Sequence, residues 1–319
     1  MTSKTSRSLM ARVSNELYNK ILFLALKAGE TISEFVANEL QKNVHAPVID
    51  KNLVAQQREY SLCKRDAEYF ITNYCKIIKP ISTEPNAFCL YDWQRSAIKS
   101  FLNNNFSVIV KSRQIGMSTL FVAYSLWFAL FHDNQRVMIV AHNLSSMKIL
   151  YKILRQMKFE VPSFLFNEND KTSELQCSFK NGSSIEITSY KIDATHGYSV
   201  DLLILDEAAW MMNLDALLPC AIGGKAIVSS TYNDNVSQKF DEDDIKLRCK
   251  TGEKKTGDDF RALLSTHSNV IVLPYTVCPK MTNDVIENIK KTMSTKLFLQ
   301  QFLCDYSSDV QRGTNVKQN

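Results

Sequence analysis

Residues 111–119 read KSRQIGMST, and how this stretch is read decides the fold. It follows a short apolar run, FSVIV at 106–110, and precedes a long one, LFVAYSLWFALF at 120–131. The first has the length and β-branching of a buried strand, and the second is long enough for three helical turns. A strand, a polar loop containing Gly116, the hydroxyl pair Ser118 and Thr119, and then an apolar helix is the layout of a phosphate-binding P-loop. Free backbone N–H groups at such a helix start, with the macrodipole behind them, form an anion site. The layout implies a nucleoside triphosphate ligand. The competing reading of the same residues is a buried helix with a Ser/Thr cap.

The loop departs from the usual G-x-x-x-x-G-K-[ST] form. Gly116 is in place, and Ser118 stands where a hydroxyl holds Mg²⁺. Met117 fills the usual lysine slot, and Lys111 stands at the first glycine. A lysine at the front of the loop still reaches the β- and γ-phosphates, because its stem is long and flexible. Arg113 adds a second cation, and Ser112, Gln114 and Ile115 complete the cradle.

Three further stretches fit the same chemistry. Residues 200–210 read VDLLILDEAAW, an apolar run ending in Asp206 and Glu207. Such a run suits a central parallel strand buried on both faces. At its tip one carboxylate can hold Mg²⁺ and the next can orient the attacking water. Upstream of the loop, Trp93 and Gln94 sit in YDWQ, residues 91–94. An aromatic ring stacks on a base, and a glutamine amide both donates to and accepts from an adenine edge. The alternative is a helix start with Asp92 as N-cap and Trp93 in the core. Residues 227–233, IVSSTYN, form another apolar run. Its end supplies Ser230, Thr231 and Asn233, which would sense the γ-phosphate at a strand tip. Taken alone, this stretch reads as an ordinary strand-to-loop turn.

In this order and spacing, the four stretches resemble the ATPase domain of the large terminase subunit of tailed phages. The resemblance runs from about residue 92 to residue 309. VMIVAHN at 137–143 is similar to the strand after the P-loop helix, and NGSSIEITSY at 181–190 to a hairpin strand with Asn-Gly at its turn. ATHGYSVDLLILDEAAW at 194–210 resembles the Walker B segment, and FLQQFLCDYSSD at 298–309 the closing helix and strand. The resemblance implies an α/β P-loop NTPase of RecA/ASCE type, with a mostly parallel sheet flanked by helices. It also implies roles. Lys111 would bind the β/γ-phosphates, and Arg113 would act in cis near the γ-phosphate. Ser118 and Asp206 would hold Mg²⁺, Glu207 would orient water, and Trp93 and Gln94 would hold adenine. Three positions depart from the pattern: Met117, His196 where arginine is frequent, and Tyr232-Asn233 in the coupling stretch.

The implied activity is ATP hydrolysis that drives double-stranded DNA into a capsid. The implied partners are a portal protein, a small terminase subunit and further copies of the chain. A nuclease domain usually follows in this family. Here the segment after 309 is short and polar, so no nuclease activity is expected; either a separate chain supplies cleavage, or the gene is split or truncated. Two rival functions share some of the motifs. A superfamily-2-type helicase needs a second RecA-like lobe, which nothing after Asn233 supplies. A non-catalytic nucleotide- and DNA-binding module would account for Met117 but not for Glu207.

The N-terminus carries a separate signal. Residues 8–13 suit a short strand. A helix follows from Asn15 to about Ala28, ended by Gly29, and a second reaches about Asn43. Ser33 is the favoured N-cap of the second helix, although Thr31 with Glu34 also fits a capping box. Strand, helix, turn, helix resembles a ribbon-helix-helix module, with Arg7 and Arg12 as DNA contacts. A helical hairpin that never touches DNA fits the same pattern. The expected organisation is this module at 1–45, a helical linker or lid at 46–86, the ATPase domain at 87–309 and a polar tail.

Composition sets outer limits. The chain has 319 residues, 45% of them hydrophobic, and a net charge of +5, too mild to establish DNA binding. The mixed-charge run at 241–259 reads as an exposed loop. Eight cysteines include no C-x-x-C pair, no secretory signal is visible, and the longest apolar run is too short for a bilayer. Reduced thiols, no membrane partner and a cytoplasmic location are therefore expected.

Overall fold

The computed structural model describes residues 15–43, 51–78, 84–165, 176–191, 197–232 and 257–305. The strand expected at 8–13, Arg7, Arg12, His196, Asn233, most of the 241–259 run and the tail lie outside the described residues.

The chain divides into two compact units, 1–58 and 59–319. In the first, α1 (Asn15–Ala28) and α2 (Ile32–Asn43) are joined by a turn at Gly29. Gly29 has φ +72°, a left-handed conformation that ends a helix without a Cβ clash. Of the two caps open in the sequence, Thr31 is the one used. The Thr31 N–H donates to Glu34 at 3.0 Å, and the Glu34 N–H donates to the Thr31 hydroxyl at 3.3 Å. This reciprocal pair satisfies two N–H groups at the helix start, where Ser33 would satisfy one. α3 (Lys51–Arg65) follows and contains the division between the units at 58/59.

The second unit is built on a seven-stranded sheet. Its strands are β3 (Phe106–Lys111), β4 (Arg136–Ala141), β5 (Gln176–Ser178), β6 (Ser184–Ser189), β7 (Leu202–Asp206), β8 (Lys225–Ser230) and β9 (Val270–Leu273). The order is β5-β6-β4-β7-β8-β3-β9, with every pairing parallel except β5 to β6. Side chains alternate between its faces, as the pleat requires. Ile109, Ile139, Ile204 and Ile227 enter one core; Val108, Val110, Leu203, Leu205 and Val228 enter the other. Because both faces are covered, these strands carry unbroken apolar runs rather than alternating polarity.

α6 (Met117–Phe131) follows β3 and is the most deeply set helix. Every one of its residues is buried except Ser118 and Thr119. A helix that is apolar all round requires cover all round. α4 (Ala67–Tyr74), α5 (Asp92–Asn103) and α7 (Leu144–Glu160) belong to the same face of the sheet. The aromatics of the segment before the loop pack there: Phe70 meets Phe131 edge-on at 5.1 Å, and the Trp127 indole donates to the Cys63 carbonyl at 2.8 Å. The opposite face carries α8 (Leu214–Leu217) and α9 (Asp258–Thr266). α10 (Asn283–Thr292) and α11 (Thr295–Phe302) close the described chain.

Part of the segment expected to be helical is not. β1 (Lys76–Ile78) and β2 (Pro85–Ala87) form a separate antiparallel ribbon. Two prolines so close together bar a helix, while Ile77 and Ile78 are β-branched and suit a strand. The Asn181-Gly182 turn lies between β5 and β6, with Gly182 at φ +83°. The Asn181 amide also donates to the carbonyls of Ala129 and His132, which ties the hairpin to the end of α6. Among the described residues, no helix is long and apolar enough to cross a membrane, and seven cysteines are free thiols.

Candidate active site

The carboxyl ends of β3, β7 and β8 meet on one edge of the sheet. β8 is hydrogen-bonded to both of the others, with Val110 opposite Ser230 and Asp206 opposite Ser229. This register brings Lys111, from the front of the loop, to the carboxylates at the tip of β7. Lys111 is 4% exposed, and its Nζ lies 2.5 Å from Glu207 Oε1. The Ser118 hydroxyl, at the start of the loop helix, donates to Asp206 Oδ2 at 2.6 Å.

The end of β8 completes the cluster. Ser230 Oγ and the Thr231 backbone N–H donate to Glu207 Oε2 at 3.3 and 3.2 Å. Thr231 Oγ1 lies 3.4 Å from the same oxygen. Glu207 itself has φ +64°, a conformation non-glycine residues seldom adopt. It turns the chain sharply after the strand, so that the two adjacent carboxylates take different partners, Asp206 the loop hydroxyl and Glu207 the loop lysine. Such strain gathers at functional sites.

Charge in this cluster is balanced internally. Burial alone would lower the Lys111 pKa, but the Glu207 and Asp206 carboxylates outweigh it and hold the ammonium above its ordinary value. Burial alone would raise Glu207, but the Lys111 charge, the hydrogen bond from it and the Thr231 N–H keep it below the usual carboxylate range. For Asp206 burial wins and raises the pKa, against the opposing pull of Lys111 and Ser118. A more deeply buried carboxylate beside an ionised one is the ordinary outcome of desolvation plus like-charge repulsion.

Two residues in this cluster do not stand out in the sequence. Ser229 lies 3.4 Å from Asp206 Oδ1 through its hydroxyl. Its signal is register, since it stands directly across from Asp206, but that becomes visible only once β7 and β8 are known to be neighbours. His142 follows β4, whose Ala141 also pairs with Asp206. Burial holds its imidazole pKa below the ordinary value, against the pull of Glu207 and Asp206.

The loop separates this charged end from an apolar cleft. Gln114 and Gly116 carry positive φ angles of 59° and 91°. At Gly116 the left-handed turn lets the chain enter α6 without a Cβ. Ser112 N–H donates to Leu273 of β9 and Arg113 N–H to Gln301 of α11, anchoring the front of the loop from outside. Arg113 is exposed. Ile115 and Met117 point into the core, each 2% exposed. The usual lysine slot is thus occupied by a packed apolar side chain.

The cleft has a volume of about 360 Å³. Ile78, Phe88, Tyr91, Gln94, Gly116 and Lys280 are among its lining residues. Gln94 Oε1 accepts from the Tyr91 backbone N–H at 3.0 Å, and its Nε2 lies over Gly116. The amide orientation is chemically fixed, because an N–H can meet only the oxygen. Trp93 differs from its reading as a stacking ring. It is 7% exposed, sits in the same core cluster as Phe70 and Phe101, and does not line the cleft. A helix turns its side chains by about 100° per residue, so Trp93 and Gln94 cannot both face the loop.

Ser118 and Asp206 suit Mg²⁺. Both supply hard oxygen donors, and their oxygens already converge. Mg²⁺ takes few protein ligands and fills the rest of its octahedron with phosphate oxygens and water. Among the described residues, no cluster of three or more His, Cys, Asp and Glu could hold a metal on its own.

Residues 108–218 match the family model described as terminase large subunit, T4likevirus-type, N-terminal. The large terminase ATPase domain of Thermus phage P74-26 superposes with a TM-score of 0.52 at 15% identity, covering 69% of this chain and 94% of that one. The large terminase of bacteriophage HK97 gives 0.54 at 15% identity, covering 75% of this chain and 54% of that one. The chain thus spans about half the length of the HK97 protein. The fold is the P-loop NTPase fold of phage large-terminase ATPase domains, and residues 108–218 are similar to the terminase family model.

Proposed function

We propose that this chain hydrolyses ATP and uses the cycle to drive double-stranded DNA into a viral capsid, as one subunit of a packaging motor. One observation carries the reading: Lys111, Ser118, Asp206, Glu207, Ser230 and Thr231, drawn from three separate stretches of sequence, form a single contact network. Nothing in core packing alone calls for a buried lysine, two adjacent carboxylates and three hydroxyls at one sheet edge. Burying such groups is costly unless they are paired.

In the proposed cycle, the triphosphate lies along the loop with its base in the cleft beside Gln94. Lys111 moves from Glu207 to the β- and γ-phosphate oxygens, which attract it more strongly than one carboxylate does. Glu207, released, accepts a hydrogen bond from water and orients it for in-line attack. Mg²⁺, held by Ser118 and Asp206, would neutralise phosphate charge. Arg113, exposed at the front of the loop, adds positive charge as the γ-phosphate departs. Ser230 and Thr231 change partners when Glu207 does, so the tip of β8 registers the state of the nucleotide. Asn233 continues that coupling stretch. DNA, a portal, a small terminase subunit and a ring of copies are the partners that go with this activity. Arg7 and Arg12 are proposed as further DNA contacts.

The test is phosphate release by wild type and Glu207→Gln, with and without duplex DNA. Glutamine keeps the size of the side chain but removes its charge. The expected result is DNA-stimulated turnover in wild type and a loss of about 10³-fold or more in the variant, with ATP still bound. Equal turnover in the two proteins would exclude Glu207 from the chemistry.

A further inference from the structure

α7 presents a face that the nucleotide site does not use. Its buried side is formed by Met147, Leu150, Tyr151, Leu154 and Met157. Its solvent side carries Lys148, Lys152 and Arg155, all exposed. At about 100° per residue these three cations fall within roughly 60° of arc, one above another along the helix. None is paired with a carboxylate among the described residues. The nearest acid on the helix, Glu160 at its end, is held by Lys76 at 2.8 Å. A surface helix normally intersperses both signs of charge, and pairs at i and i+4 add stability. Here Lys148 and Lys152 stand at that spacing with like charge, which is unfavourable unless an anion covers them.

The helix is also tied to the nucleotide site. β4 ends beside Asp206, His142 follows, and Asn143 caps α7 by accepting from the Ser146 N–H. The row of cations is therefore attached to the sheet edge where the carboxylates cluster, through only two residues.

We infer that the exposed face of α7 is a contact surface for the phosphate backbone of double-stranded DNA, with Lys148, Lys152 and Arg155 as the contacting groups. Charge complementarity favours this occupant. Duplex DNA presents a negative charge about every 1.7 Å along its axis, so a row of cations meets phosphates at any position and in any sequence. A motor that moves along DNA requires contacts of that kind, because base-specific ones would hold it in place. Packed against α6, which carries the loop, and continuous with β4, the row sits where a change at the nucleotide can reach the track. The choice of duplex DNA as occupant rests on the proposed motor function, while the surface itself rests on the geometry.

The experiment measures binding of the full chain to a labelled duplex of about 30 base pairs, by fluorescence anisotropy, as salt is raised from about 50 to 200 mM. Wild type is compared with single and triple Lys148→Gln, Lys152→Gln and Arg155→Gln variants. Glutamine retains helix propensity while removing charge. The expected result is a salt slope that falls by about 0.9 for each cation removed, and affinity at least about 10-fold lower for the triple variant at the lower salt. Basal ATP binding should not change, which also shows that the variants are folded. An unchanged slope in the triple variant overturns the inference, as does wild type that does not bind the duplex. Loss of self-association with an unchanged DNA slope also overturns it, by identifying an acidic protein face as the occupant. If wild type binds DNA through these cations but hydrolyses no ATP, the motor reading fails and the surface assignment stands.

Discussion

The two ends of the proposed nucleotide site are built in different ways. At the phosphate end, charged groups hold one another: Lys111 with Glu207, and Ser118 with Asp206. At the base end, an apolar cleft walled by Ile78 and Phe88 carries the Gln94 amide on its floor. The charged end stores its own counter-charges and has to exchange them when ligand arrives, so substitution there acts on the rate. The apolar end has nothing to exchange, so substitution there acts on affinity. Chemistry needs a cluster whose members are replaced in a concerted way, whereas recognition needs only a surface of the right shape.

Substitutions can break or sharpen this contrast. The largest expected effect after loss of Glu207 is that of Lys111→Ala. Removing a cation from the developing phosphate charge costs about 10²–10³-fold in turnover, as with other electrostatic donors. It also leaves Glu207 without its partner, so thermal stability in the absence of nucleotide should fall as well. Adding Met117→Lys to that variant should not restore turnover, because position 117 packs in the core. Rescue would show that the usual lysine slot is still open to the phosphates. Trp93→Ala comes next and separates core from cleft. A buried indole lost to alanine costs about 3–5 kcal/mol of stability by denaturant titration, with the Kd for ATP unchanged in the protein that remains folded. A Kd raised tenfold at unaltered stability would return Trp93 to the base site. The smallest effect is expected for Gln94→Ala. Loss of one hydrogen bond to a neutral base should raise KM about 5- to 10-fold and leave kcat within about twofold. A fall in kcat with KM unchanged would move Gln94 to the charged end.

Legibility follows the same division. The loop is readable because strand, Gly116, Ser118 and helix are contiguous, and each obeys a local rule. Asp206 and Glu207 are visible because two adjacent acids at the end of an unbroken apolar run mark a buried strand whose tip reaches a cation. The α1 helix and its end at Gly29 are legible from a cap and a period. The base end is not, because its wall comes from segments far apart, with Ile78, Phe88 and Lys280 meeting only in the fold. Trp93 misleads because an aromatic beside a glutamine looks like a pair, yet neighbours on a helix point in different directions. Ser229 stays hidden because strand order, rather than strand sequence, sets it against Asp206. The β1–β2 ribbon escapes a sequence reading because three-residue strands carry too little pattern to outweigh the helical stretch before them.

β8 lies between the strand that feeds the loop and the strand that ends in Asp206. Two inter-strand spacings of about 4.8 Å therefore fix the breadth of the slot at roughly 9.6 Å. That gauge is set by main-chain hydrogen bonds, so no side-chain change can widen or narrow it. It also gives a reason for a lysine at the front of the loop: its long stem and the Glu207 side chain together bridge the intervening strand and meet with Nζ 2.5 Å from Oε1.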